Sequence, residues 1–510
     1  MYKTKKIINE WKWAGLGLFI ILIIGFGIRI TNLTILPIFV DEAIYVRWAQ
    51  VMANEPTLRF LPLSDGKQPL FMWILMFLIN RFSDPLFIGR LISVCTGMGT
   101  LLGVFTLSYL LFKSKKVSLL ASFLYALSPF AVFFDRMALV DSMLSMFGIW
   151  TAIFGLLTAK YKRLDLAMVT GFLLGFAVLT KSPAIFIALL LPSFWFLTNW
   201  KGIWRLGATY LIAFGIYNIQ RLGPNFGMLT SRTGDYVLPL SHIWTNFFDP
   251  LIPYLKDFAV WIVTMGPFIL IPLFLIGIYV GFKKYFKETL VLFAWFLFPL
   301  FVQAELARVF TARYIFFILP YLFILSGMVF LSKAKWLLVT SYGLIGLFVI
   351  QSSIFNFYLL TNPEKANLPR GERSGYLEEW TAGQGIAEIA NFLKIQNLQN
   401  PKTQIVVGTE GYFGTLPDGL QIYVNDIPNI VVIGVGVIVD GTPKSLREAV
   451  DAGNKTYLVV NKSRFHASAE EQGFKLINKF TKGLRLPDSD QYTKFGPQEE
   501  LLFFEVLQSK

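Results

Sequence analysis

Eleven apolar stretches, each close to the length of a membrane crossing, punctuate the first 358 residues, and a chain built that way has few folds open to it. A crossing takes about 20 apolar residues to span roughly 30 Å of hydrocarbon. The stretches run over 14–31, 85–112, 117–134, 137–158, 165–180, 184–200, 206–220, 258–282, 288–304, 313–332 and 336–358, with 165–180 and 206–220 short for the task. In lipid every backbone N–H and C=O must be satisfied within the segment, which makes helices of runs this long. Composition agrees: the chain is 55% hydrophobic and 15% charged, where a soluble domain carries about 25% charge. That deficit excludes a disordered chain and a nucleic-acid binder made basic by surface Lys and Arg. The expected class is a mainly α polytopic membrane protein.

Charge then orients the chain. Residues 1–358 hold 30 Lys and Arg against 14 Asp and Glu, while 359–510 hold 16 against 18, so the net +14 belongs to the apolar part. Short cytoplasmic loops collect Lys and Arg. With the amino terminus in the cytoplasm, the inner side gathers 17 basic residues, among them Lys3, Lys5, Lys6, Lys113, Lys160, Lys201, Lys283 and Lys333, against Glu10, Asp165 and Glu288. An odd number of crossings puts the tail on the extracytoplasmic side of the plasma membrane. The first run is followed by no small-residue cleavage pattern and reads as a retained anchor. The division expected is a transmembrane domain over 1–358, with long outer loops at 32–84 and 221–257, and a soluble domain over 359–510. Cys95 is the single cysteine and His242 and His466 lie far apart, which argues against a disulfide framework and a Cys- or His-based metal centre.

In the tail, 383–396 and 443–452 read as helices. The stretches 403–408, 421–425, 429–434 and 456–461 read as strands, with further strands near Phe474 and Leu502. Alternation of this kind predicts a small α/β domain.

Chemistry concentrates where long outer loops carry ionisable residues. Asp41-Glu42 stands ten residues after the first run, between apolar neighbours; such a carboxylate is suited to removing a proton from a hydroxyl. Equally, Asp41 fits a solvated loop or the cap of a helix continuing to Met52. Lys67, in Asp65-Gly66-Lys67-Gln68-Pro69, is placed to neutralise a lipid phosphate, or simply to snorkel. Asp135-Arg136 and Asp141 occupy a very short turn between the third and fourth runs, where some must point inward. Function or an Arg136 pair with Asp135 or Asp141 explains them equally. Lys181, in Leu179-Thr180-Lys181-Ser182-Pro183, and Arg308 with Arg313-Tyr314 add cations at the same membrane level. A convergence of cations suits a lipid phosphate headgroup, though contact with anionic membrane lipids also explains one or two of them. After the tail's first strand, Gly408 to Gly419 is a glycine-rich loop whose Tyr412 and Phe413 can stack on sugar rings, or merely pack.

The ordered set resembles the protein O-mannosyltransferases and lipid A aminoarabinose transferases, glycosyltransferases of the GT-C fold. Asp41-Glu42 is similar to that family's first-loop acidic motif, and Lys67-Gln68-Pro69 to its Lys-Pro-Pro-like motif before an amphipathic helix. Arg136 to Asp141 resembles its Arg-x-x-x-x-Asp turn, Leu179 to Pro183 its Leu-Thr-Lys-Gly-Pro-like break, and Arg313-Tyr314 its later Arg-Tyr. The match covers roughly 10–330. Gln68 and Ser182 depart from the usual proline and glycine, and the tail does not resemble the β-trefoil repeats of eukaryotic mannosyltransferases.

The resemblance implies transfer of a sugar, with mannose-like hexoses among the candidates, from a polyprenyl-phosphate donor to a protein, lipid or glycan acceptor outside the cytoplasm, with inversion. In that reading Asp41 is the base, and Glu42 and Asp141 position substrates. Lys67, Arg136, Lys181, Arg308 and Arg313 bind the donor phosphate, and Tyr412 and Phe413 meet the acceptor. No cofactor is required by it, although Mg or Mn serves oligosaccharyltransferases of the same fold class. The alternative is a transporter or flippase of lipid-linked sugars.

Overall fold

The computed structural model describes residues 2–508, with side chains from position 10; Lys3, Lys5 and Lys6 lie outside the described side chains. Helix dominates as far as Thr361, and a five-stranded sheet follows. Contacts divide the chain into two compact units, 1–33, 57–74 and 90–369 in one, and 34–56, 75–89 and 370–510 in the other. The division is therefore not a single cut near residue 358: two pieces of the first long loop fold with the tail.

The first nine helices are α1 (Tyr2–Ile30), α2 (Val40–Asn54), α3 (Leu70–Leu78), α4 (Pro85–Phe112), α5 (Lys115–Leu127), α6 (Pro129–Phe134), α7 (Val140–Tyr161), α8 (Leu164–Thr180) and α9 (Ala184–Leu190). All eleven apolar runs are helical. Among the described residues six helices are long and apolar enough to cross a bilayer alone: Glu10–Ile30, Pro85–Phe112, Val140–Tyr161, Phe286–Leu306, Ala312–Leu331 and Lys335–Thr361. The other five runs are short or broken. At 17 residues, α8 is about 25 Å long at 1.5 Å per residue.

The run 258–282, expected as one crossing, is two helices, Leu251–Thr264 and Leu270–Lys284. Gly266-Pro267 ends the first, because proline has no N–H to donate and its ring collides with the turn before it. The run 117–134 likewise divides into α5 and α6 at Pro129. These two breaks answer each other: Phe130 N, a first-turn donor of α6, bonds Met265 O at 3.0 Å, so two orphan helix-end groups are satisfied together.

In the second unit the sheet order is β2-β1-β3-β5-β4, with β1 (Ile405–Glu410), β2 (Ile430–Gly436), β3 (Lys455–Asn461), β4 (Phe474–Leu484) and β5 (Gln498–Val506). Strands β2, β1 and β3 run parallel; β5 and β4 are antiparallel additions. Side chains alternate between faces. Val406, Leu458, Val460 and Phe504 bury one face with Leu446 of the helix Lys444–Asp451. On the other, Phe392 of the helix Ile386–Gln399 meets Tyr457 at 5.9 Å and Phe503 at 5.2 Å.

Gln421–Asn425, expected as a strand, lies largely in a helix, Asp418–Val424. Leu420, Ile422 and Val424 mimic a strand's alternation, but Pro417 presets a helical φ and Asp418 fills the favourable first turn. The first-loop piece joins this unit through backbone bonds: Val40 N to Thr381 O at 3.0 Å and Gly383 N to Ile38 O at 2.9 Å.

Candidate active site

In the first unit a sealed ion pair anchors the turn before α7. Arg29 Nε lies 2.9 Å from Asp135 Oδ2, both fully buried. Tyr125 donates to the same oxygen at 2.9 Å, and Ser142 Oγ to Oδ1 at 2.6 Å. A Cβ at Gly97 would collide with this carboxylate. A buried pair with its lone pairs answered in this way is architecture.

Arg136 is buried as well, and its guanidinium donates to Arg29 O (2.8 Å), Thr31 O (2.6 Å) and Asn32 O (2.8 Å). It thus holds the end of α1 and the turn that follows it, satisfying carbonyls that no helical N–H reaches. Expected at a phosphate, Arg136 is instead spent on a helix end. Nor is it the ion partner of either acid in its motif: Asp135 pairs with Arg29 and Asp141 with Lys181.

Asp141 and Lys181 come together from the first turn of α7 and the residue after α8. Lys181 Nζ is 2.5 Å from Asp141 Oδ1 and 4.2 Å from the centroid of the Tyr314 ring. Arg313 approaches the same ring at 5.4 Å. Asp141 Oδ2 is buried with no hydrogen-bond partner among the described residues, whereas the Lys181 side chain keeps 18% exposure. The ammonium is therefore partly stripped of water yet reachable, and a cation over an aromatic face is held more strongly once desolvated.

Other segments reach the same face. Gln68 Nε2 donates to Ser182 Oγ at 2.7 Å, latching the turn before α3 to the break after α8. In that turn Gly66 takes φ 67°, a left-handed conformation suited to glycine, and Lys67 Nζ stands 3.3 Å from Asp65 Oδ2. Asp65 Oδ1 also pairs with Arg232, which holds Asp235 at 3.0 Å. Arg308 is exposed, its backbone N bonded to Tyr236 O at 2.8 Å.

Two groups escaped the sequence reading. Arg232 lies in the second long loop outside any motif, its only sign being Asp235 three residues on. Glu305 is 5% exposed, and among the described residues neither carboxylate oxygen has a hydrogen-bond partner. Its signal was its isolation, as the sole acid between Glu288 and Glu364.

The second unit holds the acidic pair. Asp41 is half-buried in the first turn of α2. Glu42 is fully buried, and its Oε2 accepts Phe39 N at 3.0 Å, so Glu42 caps the helix. Further along α2, Arg47 donates to Asn425 Oδ1 at 2.6 Å, and the Trp48 ring stacks on Phe413 with centroids 6.0 Å apart. Tyr412 remains 71% exposed and Phe413 48%. The glycine-rich loop is tied by Asp418, whose Oδ2 accepts Gly414 N at 2.7 Å. Burial pushes the Asp418 carboxyl up to about 6, against the pull of that bond and of Arg47.

Among the described residues no group of three or more His, Cys, Asp and Glu gathers to hold a metal ion. Asp141 is turned to the Lys181 ammonium and Glu42 to the Phe39 backbone N–H.

The architecture is similar to solved structures along nearly its whole length. ArnT from Cupriavidus metallidurans bound to undecaprenyl phosphate matches with a TM-score of 0.58 at 15% identity, covering 97% of this chain and 98% of that one. The apo state of that protein matches at 0.57 and 14%, covering 98% of each. The arabinofuranosyltransferase AftD from Mycobacteria matches at 0.50 and 12%, over 98% of this chain and 42% of its own. Residues 66–219, which include Lys67, Asp141 and Lys181, match the family described as dolichyl-phosphate-mannose-protein mannosyltransferase. No curated protein matches by sequence. The protein is a polytopic membrane protein of the GT-C glycosyltransferase fold.

Proposed function

We propose that the protein transfers a sugar from a polyprenyl-phosphate donor to an acceptor at the non-cytoplasmic face of the plasma membrane, with its amino terminus in the cytoplasm. The observation that carries this reading is Lys181, held between Asp141 and the Tyr314 ring with Arg313 alongside. As the bond from the anomeric carbon to the phosphate oxygen breaks, charge grows on the phosphate, and fixed cations in a low-dielectric setting stabilise it. Lys67, Lys181 and Arg313 supply that charge, with Arg308 available from the exposed connection.

The acceptor hydroxyl attacks the opposite side of the anomeric carbon, which inverts it, and its proton passes to Asp41. Polyprenyl phosphate leaves carrying the electron pair. Asp141 positions Lys181, and Glu42 positions Asp41 by fixing the start of α2. Tyr412 and Phe413 offer exposed rings to a saccharide or peptide acceptor. Undecaprenyl phosphate bound to ArnT supports a polyprenyl-phosphate donor, and the match of 66–219 makes a mannose-like hexose the first sugar to try.

A transporter of lipid-linked sugars is the second reading. Its ionisable residues belong near mid-membrane on broken helices, whereas Asp141 and Lys181 stand at helix ends. The test uses purified protein in lipid vesicles with radiolabelled polyprenyl-phosphate mannose and an acceptor fraction. Label moving to the acceptor with release of polyprenyl phosphate supports transfer. Label crossing the bilayer still attached to its lipid sinks that reading in favour of transport.

A further inference from the structure

We propose that the second unit carries a separate binding cavity for a neutral, hydroxyl-rich ligand, a saccharide of one or two rings. The cavity has a volume of about 430 Å³ and is walled by 34–38, 83–86 and the start of the helix Ile386–Gln399. That volume lies in the range of small-molecule sites.

Its walls are fixed. Gly383 N bonds Ile38 O at 2.9 Å, and Gly385 takes φ 86° to enter the helix. Asp84 Oδ1 is oriented by Leu86 N at 2.9 Å and Phe87 N at 3.1 Å.

Its polar groups select the ligand. Asp84 and Glu388 present carboxylates, while the Gln384 side chain is committed to the wall, its Nε2 donating to Leu377 O at 2.7 Å. Two carboxylate acceptors ask for a ligand that donates, as hydroxyls do. Lys394 and Asn391 add donors for ring and glycosidic oxygens, and Tyr423 adds a ring. Two carboxylates against one ammonium make the cavity unfavourable for a phosphate, which sets it apart from the Lys67 and Lys181 region. Glu388 and Asn391, three residues apart on one helix, present adjacent side chains to the same ligand.

In the transferase reading this cavity holds the glycan part of an acceptor, but binding measured directly does not depend on transfer. The full-length protein in lipid nanodiscs is titrated with mannobiose, chitobiose and maltose, by saturation-transfer NMR and calorimetry, with inorganic phosphate as competitor. At least one disaccharide is expected to bind, with affinity reduced at least about fivefold by Asn391→Ala and by Glu388→Gln, and phosphate is expected not to compete. Both positions are exposed, so the variants fold. Binding by none of the three, equal affinity in both variants, or competition by phosphate overturns the proposal. Disaccharide binding by a natural chain that shows no transfer activity would count against the transferase reading alone.

Discussion

Lys181 sets its ammonium 2.5 Å from the Asp141 carboxylate while lying 4.2 Å from the centroid of the Tyr314 ring. This joins the start of α7, the end of α8 and the segment beginning at Ala312. If that ammonium stabilises a departing phosphate, Lys181→Met lowers kcat by about a hundredfold or more, the usual effect of removing one donor from a developing oxyanion. The double variant Lys181→Met/Asp141→Leu, which removes both charges, is expected to regain thermal stability but not rate. Recovery of both, read by melting and by initial rates of sugar transfer, would reduce the pair to a structural salt bridge.

The neighbouring acids of α2 should separate cleanly. Asp41→Asn is expected to abolish transfer and leave expression, membrane insertion and melting unchanged. Glu42→Ala removes the carboxylate that accepts from Phe39 N–H and costs about 1 kcal/mol of stability, as lost caps do, with kcat reduced less. Activity assays paired with melting curves decide, and an Asp41→Asn protein of normal rate would remove Asp41 from the mechanism.

Which parts of this were legible beforehand follows from what each signal depends on. Apolar runs announced the helices because lipid leaves no alternative to internal hydrogen bonding, yet the break at Gly266-Pro267 was hidden inside a continuous hydropathic run. The Asp41, Lys67 and Lys181 motifs could be singled out because charge beside apolar sequence is costly and seldom idle. Arg136 looked the same in sequence, and only three-dimensional proximity to the carbonyls at the end of α1 reveals its occupation. The pairs Arg29–Asp135 and Arg232–Asp65 join positions 106 and 167 residues apart, a separation that no local pattern encodes. For the helix Asp418–Val424, burial of Leu420, Ile422 and Val424 satisfied either period, and the first turn decided.

The sealed pair makes a stability prediction. Asp135→Asn leaves Arg29 charged in a fully buried site, and breaking such a pair costs about 3–5 kcal/mol. Arg29→Met/Asp135→Leu, apolar on both sides, should recover much of that. Melting in detergent measures both, and a mild effect of the single variant would mean that water reaches the site.

Lys67 and its neighbour predict opposite signs. Lys67→Ala should weaken binding of polyprenyl phosphate by about tenfold, the loss of one charge-assisted contact. Asp65→Asn frees both Lys67 and Arg232 from the carboxylate they share, so binding should tighten. A titration with fluorescent polyprenyl phosphate reads both variants. Weaker binding in Asp65→Asn would make Asp65 a support for these cations and not a competitor of the phosphate.

Asp418 gives the pH dependence of the tail. Burial raises its carboxyl to about 6 from an ordinary 3.8, so between those values the folded state binds the proton and the unfolded state releases it. Stability contributed by this group therefore grows as pH falls from about 6 toward 4 and is lost as pH rises through 6. Two pKa units correspond to at most about 3 kcal/mol. Asp418→Asn, which mimics the protonated form, should flatten this part of the profile and be more stable than the natural chain at pH 7.5 while matching it near pH 4. Melting curves of the full chain across that range supply the comparison. A variant less stable at pH 7.5 would mean that the charged carboxylate's bond to Gly414 and its attraction to Arg47 outweigh the burial that opposes them.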